Sequence, residues 1–200
     1  MKRWCALGLA LVLLLMLAGC RPSDMRKLEG KWTAKVDLAS AYEDLLARED
    51  ATVAAHIQLK DMKVDLTLRF EEDGTYRLRA DTKDLDAAAE VMDEAIRNGM
   101  AAYLQAQTGK TMDNLLSATG QTADELMERY FGTDLSDTMA DSLEAEGTYK
   151  VTGGKLILLD KAGNKVFEGK YEVDGETLKL KSGVTRTLIT SLLPLKMEKK

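Results

Sequence analysis

The sequence predicts an α+β fold: an antiparallel up-and-down β-barrel or meander of about eight strands, with a helical insert between the early and late strands. Three observations carry this. Met62, Val64, Leu66, Leu68 and Phe70 alternate with Lys63, Asp65, Thr67 and Arg69 without a break, the period of a strand with one face buried. From Lys83 the period changes, and Leu85, Ala88, Ala89, Met92, Ile96, Met100, Tyr103 and Leu104 recur three or four apart as a helical stripe. After Gly147 short β-prone segments return, divided by Gly153-Gly154, Ala162-Gly163-Asn164, Asp174-Gly175 and Gly183.

Taken in order, residues 28–36, Leu28 to Val36, read as a first strand. Leu38, Ala41, Tyr42, Leu45 and Leu46 then fall at helical spacing, and residues 50–60 carry no clear period. The strand over 62–70 turns at Asp73-Gly74 into a partner with Tyr76, Leu78 and Ala80 on one face and Arg77 and Arg79 on the other, an antiparallel hairpin with one wet side. Within the insert, about 83–147, Gly109 breaks the first helix and Thr119-Gly120 ends a second. Thr122-Ala123-Asp124-Glu125 has the spacing of a capping box, ahead of Leu126, Met127, Tyr130 and Phe131. Leu135, Met139 and Leu143 predict a last helix ending before Gly147. The late strands are expected at 148–152, 155–160, 165–173, 176–181 and 184–190. With the first three they make about eight, the number that closes a small barrel.

The chain opens differently. Lys2 and Arg3 precede an apolar run of 14 residues from Ala6 to Gly19, which ends Leu17-Ala18-Gly19-Cys20. A bilayer span needs about 20 apolar residues, so the run is short for a span and suits a signal h-region. These residues resemble a bacterial lipoprotein signal, whose lipobox reads Leu-Ala-Gly-Cys. The resemblance implies that residues 1–19 are a signal peptide that is removed. It also implies that Cys20 is lipidated, with several acyl chains giving a stable anchor. The protein is then expected on the extracytoplasmic face of a cell membrane, or on an outer membrane where one exists. Arg21 stands where an aspartate commonly retains lipoproteins at the inner membrane. Residues 20–27 would be the lipid-anchored tether, and 28–200 the folded domain.

Gly30-Lys31-Trp32 on the first strand, Phe70-Glu71-Glu72-Asp73-Gly74-Thr75-Tyr76 at the hairpin and Gly147-Thr148-Tyr149 resemble bacterial lipocalin-like domains. The resemblance implies a barrel whose floor is closed by the indole of Trp32, with Arg186 as its cover. It further implies a small apolar or amphipathic ligand, with Trp32, Met62, Val64, Leu66, Leu68, Phe70, Tyr76 and Leu78 as lining. The helical insert and the absence of a Thr-Asp-Tyr signature set this chain apart from typical lipocalins.

Charge points to a second role. Without residues 1–19 the 28 basic residues fall to 26 against 33 acidic ones, a balance of −7 that argues against nucleic acid as a partner. Residues 83–147 hold 14 acidic and four basic residues, a balance of −10, whereas 20–82 with 148–200 hold 22 basic and 19 acidic ones. A mildly basic barrel facing an anionic bilayer would leave the acidic insert pointing outward, toward a basic envelope protein. Ligand binding and protein–protein interaction or assembly therefore both stand as expectations.

Nothing in the pattern points to catalysis, a cofactor or a metal. Gly109-Lys110-Thr111 ends like a P-loop, but Leu104 occupies the position of its required glycine. The single histidine, His56, sits in Ala54-Ala55-His56-Ile57 with no motif beside it, and reads as a structural or surface residue. Glu71-Glu72-Asp73 reads as turn solvation, and Asp134, Asp137 and Asp141 as a solvated helix face without EF-hand order. With Cys5 in the signal and Cys20 lipidated, no thiol remains for a disulfide or a metal. The chain is expected not to be an enzyme.

Overall fold

A computed structural model describes residues 23–125, 128, 134–185 and 188–200. A short helix α1 (Ser23–Leu28) leads into β1 (Gly30–Asp37), followed by helices α2 (Ala39–Glu49) and α3 (Ala51–Ala54). The hairpin β2 (Lys63–Phe70) and β3 (Thr75–Ala80) precedes α4 (Thr82–Thr108), α5 (Met112–Thr119) and α6 (Leu135–Leu143). The chain then runs through β4 (Ala145–Thr152), β5 (Lys155–Asp160), β6 (Lys165–Asp174), β7 (Thr177–Thr185), a 3₁₀ helix (Leu188–Leu192) and β8 (Leu195–Lys199). Each strand pairs antiparallel with the next, and β1 pairs with β8, closing an eight-stranded barrel in chain order.

Alternation sets the orientation. Along β2 each even-numbered apolar residue is buried, while its charged neighbours face water. The apolar faces of the strands therefore point inward and the charged faces outward, the reverse of a membrane-spanning barrel. Among the described residues no helix is long and apolar enough to cross a membrane.

The two ends of the barrel differ. Registers put the start of β1, the β2–β3 turn and the end of β8 at one end. There α1 forms the floor, with Leu28 fully buried and Met25 packed against the core. At the opposite end β1 runs into α2, and β3 connects through the insert to β4. Helices α2, α3, α4 and α6 and the 3₁₀ segment cap that end. Leu85, Ala88, Met92 and Ile96 of α4, and Met139 and Leu143 of α6, join the barrel interior in one hydrophobic cluster. The cluster runs from Leu28 to Met197, with Met25 packed against it, so a chain that begins at Ser23 keeps all of this core.

Capping chemistry delimits the helices. The Asp81 carboxylate accepts the Lys83 and Asp84 amides at 3.0 and 3.3 Å, opening the 27-residue α4, which extends about 40 Å. Gly109 closes α4 in the left-handed conformation, and Thr111 Oγ1 opens α5 by accepting the Asn114 amide at 3.3 Å. The P-loop-like Gly109-Lys110-Thr111 is thus a stop followed by a start. The Thr122 capping box forms as expected, with Thr122 N donating to Glu125 Oε2 at 2.8 Å and Glu125 N to Thr122 Oγ1 at 3.2 Å. Leu126, Met127, Tyr130 and Phe131 lie outside the described residues, as do residues 1–22, Cys20 among them.

Three expectations are corrected. Leu28 ends a helix and does not open β1, so the polar leader is helical from Ser23 onward. Residues 176–181 and 184–190 are not two strands divided at Gly183: β7 runs through it, because Gly183 is a seat and not a turn. Gly183 pairs with Gly169, and a Cβ at Gly183 would lie 2.6 Å from the Phe167 ring. Two glycines facing each other make room for that aromatic side chain. The eighth strand is instead Leu195–Lys199, and the strand count of eight survives because one division is lost and one strand gained.

Candidate functional site

The side chains expected to line a cavity do share the barrel interior. Trp32, Met62, Val64, Leu66, Leu68, Phe70, Tyr76 and Leu78 are each at most 3 % exposed, in contact with Leu156, Phe167, Leu178 and Met197 from the far wall as one cluster. Trp32, Met62, Val64 and Leu66 have no accessible surface, and the other four keep 1–3 %. Beneath them Trp32 donates its indole N–H to the Leu28 carbonyl at 2.6 Å, tying β1 to α1. The cation over its ring is Lys199 of β8, 5.1 Å from the centroid. Arg186 lies outside the described residues.

Among the described residues one buried side-chain polar atom has no hydrogen-bond partner: the Tyr76 hydroxyl. Burial, reinforced by the negative charges of Asp160 and Glu146, pushes its pKa up to about 12. An unpaired buried hydroxyl costs on the order of 1 kcal/mol or more. Tyr76→Phe is therefore expected to raise stability by about 1 kcal/mol in urea denaturation. A loss of stability would mean that the hydroxyl is bonded, to a water or a ligand, in the folded protein.

Among the described residues an open apolar site lies in the cap. Asp50 ends α2 and starts α3: its backbone N–H donates to the Leu46 carbonyl, and its Oδ1 accepts the amides of Thr52 and Val53 at 2.9 and 3.2 Å. This hinge bends the chain back along α4. Between them runs a groove of about 460 Å³ walled by Leu46, Val53, Ala54 and Met100, with Ile57 and Ile96 buried at its floor. Helix α4 approaches closely because Gly99 presents no side chain: a Cβ there would lie 2.9 Å from the His56 carbonyl oxygen. Glu49 and Asp50 supply the polar part of the lining. The volume falls in the range of small-ligand pockets.

A second concavity, about 570 Å³, lies on the barrel wall over the β3–β4 seam. Its centre is Glu146, which pairs with Arg77 at 3.3 Å, Arg79 at 2.8 Å and Lys161. The Lys161 ammonium, ahead of the two guanidiniums, holds the Glu146 carboxyl below the usual carboxylate range. Asp160 also lines it, but its oxygens accept the Ala162 and Asn164 amides and the Asn164 side chain. These charges fasten strands and a turn to one another.

The remaining candidates resolve locally. His56 is exposed, its ring edge-on to Tyr103 at 5.8 Å. Glu71 pairs with Arg69 at 2.6 Å, and Asp73 accepts from both the amide and the hydroxyl of Thr75. Asp134 caps α6 by accepting the Asp137 amide at 3.0 Å. Among the described residues no three or more histidine, cysteine or carboxylate side chains gather as a metal site. The chain matches no protein-family profile, no curated protein and no solved structure. The groove was missed because residues 50–57 carry no clear period, while Leu46, Ile96 and Met100 read as ordinary core positions of helical stripes. The one signal was Asp50, a cap residue ahead of a helical turn.

Proposed function

We propose that the chain is a noncatalytic binding lipoprotein, held on the extracytoplasmic face of a membrane through Cys20. In this reading it takes a small apolar or amphipathic ligand in the groove of the cap. The observation that carries this reading is the contrast between the two interiors: the barrel rows are buried against one another, whereas the apolar cap groove is open. The barrel is then a scaffold. Since α1 leads back toward Cys20 at the floor, the anchor belongs to that end and the cap points away from the bilayer. An eight-residue strand spans about 26 Å before tilt, which lifts the groove clear of the lipid head groups. The acidic balance of residues 83–147 favours a second reading, a basic envelope protein docking on the cap.

Native mass spectrometry decides between them. The chain from Ser23, secreted behind a cleavable signal and purified without detergent, is expected to carry a co-purifying mass that denaturation releases. Ala54→Trp, which fills the groove from its half-exposed wall, should remove that mass, and Tyr76→Phe in the barrel should not. The reverse pattern would put the ligand in the barrel. An empty protein would overturn ligand binding in favour of the protein partner.

A further inference from the structure

We propose that the cap groove selects amphiphiles with a cationic head group, recognised by Glu49 and Asp50. This rests on the groove being the ligand site and adds the chemistry of what enters it. The lining consists of apolar side chains, these two carboxylates and no base. Both carboxylates sit where α2 ends, on one edge of the apolar floor formed by Ile57 and Ile96. Neither forms an ion pair with a described residue; Asp50 spends one oxygen on the α3 cap, and its other oxygen has no hydrogen-bond partner among the described residues. Across the groove, the arginine beside Ile96 is already held: Arg97 binds Asp93 at 2.6 Å and Asp124 at 2.7 Å. The apolar chain of a ligand laid on the floor would therefore bring its head group against two carboxylates that no described residue ion-pairs, with Arg48 the nearest base in sequence. A quaternary or primary ammonium is favoured there, a neutral head is indifferent and an anionic head is repelled. The acidic balance of the insert extends the same sign of potential beyond the groove and would steer cations toward it.

Isothermal titration of the chain from Ser23 with three short amphiphiles sharing an octyl tail tests this: octyltrimethylammonium, octyl glucoside and octyl sulfate, each below its micellar concentration. The ammonium is expected to bind on the order of tenfold more tightly than the glucoside, and the sulfate more weakly than either. Asn caps helices as well as Asp does, so Asp50→Asn preserves α3 while removing the charge. The double variant Glu49→Gln with Asp50→Asn should bring the affinities of the ammonium and the glucoside together. Equal binding of the three head groups, or an unchanged ammonium affinity in the double variant, would overturn the cationic selectivity while leaving the groove as the site. Failure of all three to bind wild type would overturn the groove reading itself.

Discussion

Trp32→Ala is expected to destabilise the barrel by about 3–5 kcal/mol, a large fraction of the stability of a domain this size. The indole is fully buried at the floor, and its removal leaves a cavity larger than any aliphatic truncation would. Two further contacts go with it. The Leu28 carbonyl loses the 2.6 Å hydrogen bond that fastens α1 under the barrel, and Lys199 loses the ring beneath its ammonium. The barrel closure also weakens, since β1 and β8 are in register at just two positions and Trp32 opposite Lys199 is one of them. Trp32→Phe separates these contributions: it restores most of the packing but leaves the Leu28 carbonyl without its donor, for a loss of about 1–2 kcal/mol. Because Trp32 is the only tryptophan from Ser23 onward, urea unfolding has to be followed by far-UV circular dichroism. A loss below 1 kcal/mol for the alanine variant would mean that Trp32 is not part of the closure.

The same residue shows how the fold could be read from the chain. A strand with one buried face advertises itself by alternation, so β2, β3 and the early helical stripe were legible residue by residue. Trp32 was legible as a buried closure, but its partners were not: Leu28 was assigned to the strand, and Lys199 lies on a strand with no assigned period. Leu195-Lys196-Met197 alternates over too few residues to be separated from a loop. Gly183 misled for a physical reason. Glycine marks turns when it frees the backbone and marks strands when it makes room, and nothing local distinguishes the two uses. Which use applies depends on Phe167 and Gly169, far from Gly183 in sequence and adjacent only across the sheet.

The candidate site was less legible than the fold. Side chains that line a barrel and side chains that fill it have the same alternation, so Met62, Val64, Leu66, Leu68 and Phe70 identify an inward face without saying what lies against it. Filling is a matter of volume summed over all eight strands and the capping helices. The cap groove has the opposite problem. It is made by two segments, 46–57 and 96–100, brought together at the Asp50 cap and the bare backbone of Gly99; the first is largely without a period, and the helical period of the second announces core packing and not a site.

Gly147→Ala is expected to be as damaging as a core truncation, about 3 kcal/mol or more, although it adds a single methyl group. Gly147 pairs with Tyr76 on β3 and with Asp160 on β5, so its backbone is gripped from both sides. A Cβ there would collide with the Leu159 carbonyl oxygen and lie 2.8 Å from the Asp160 carbonyl carbon. Both obstacles are backbone, which cannot swing aside as a side chain does. With φ at 159°, close to extended backbone, collision rather than handedness is the cost. The damage falls on the seam that follows the insert, where β3 and β4 are in register at four positions and where Glu146 gathers Arg77, Arg79 and Lys161. Amide exchange should accordingly lose protection first along Thr75–Leu78 and Ala145–Thr148. Gly153→Ala is the control, with φ at 59° but nothing within 4 Å of the added carbon, and it is expected to cost about 1–2 kcal/mol through left-handed strain alone. Urea midpoints that place the two variants together would show that β4 can move away from β5. The expected wide separation would show that the barrel holds that strand where only glycine fits.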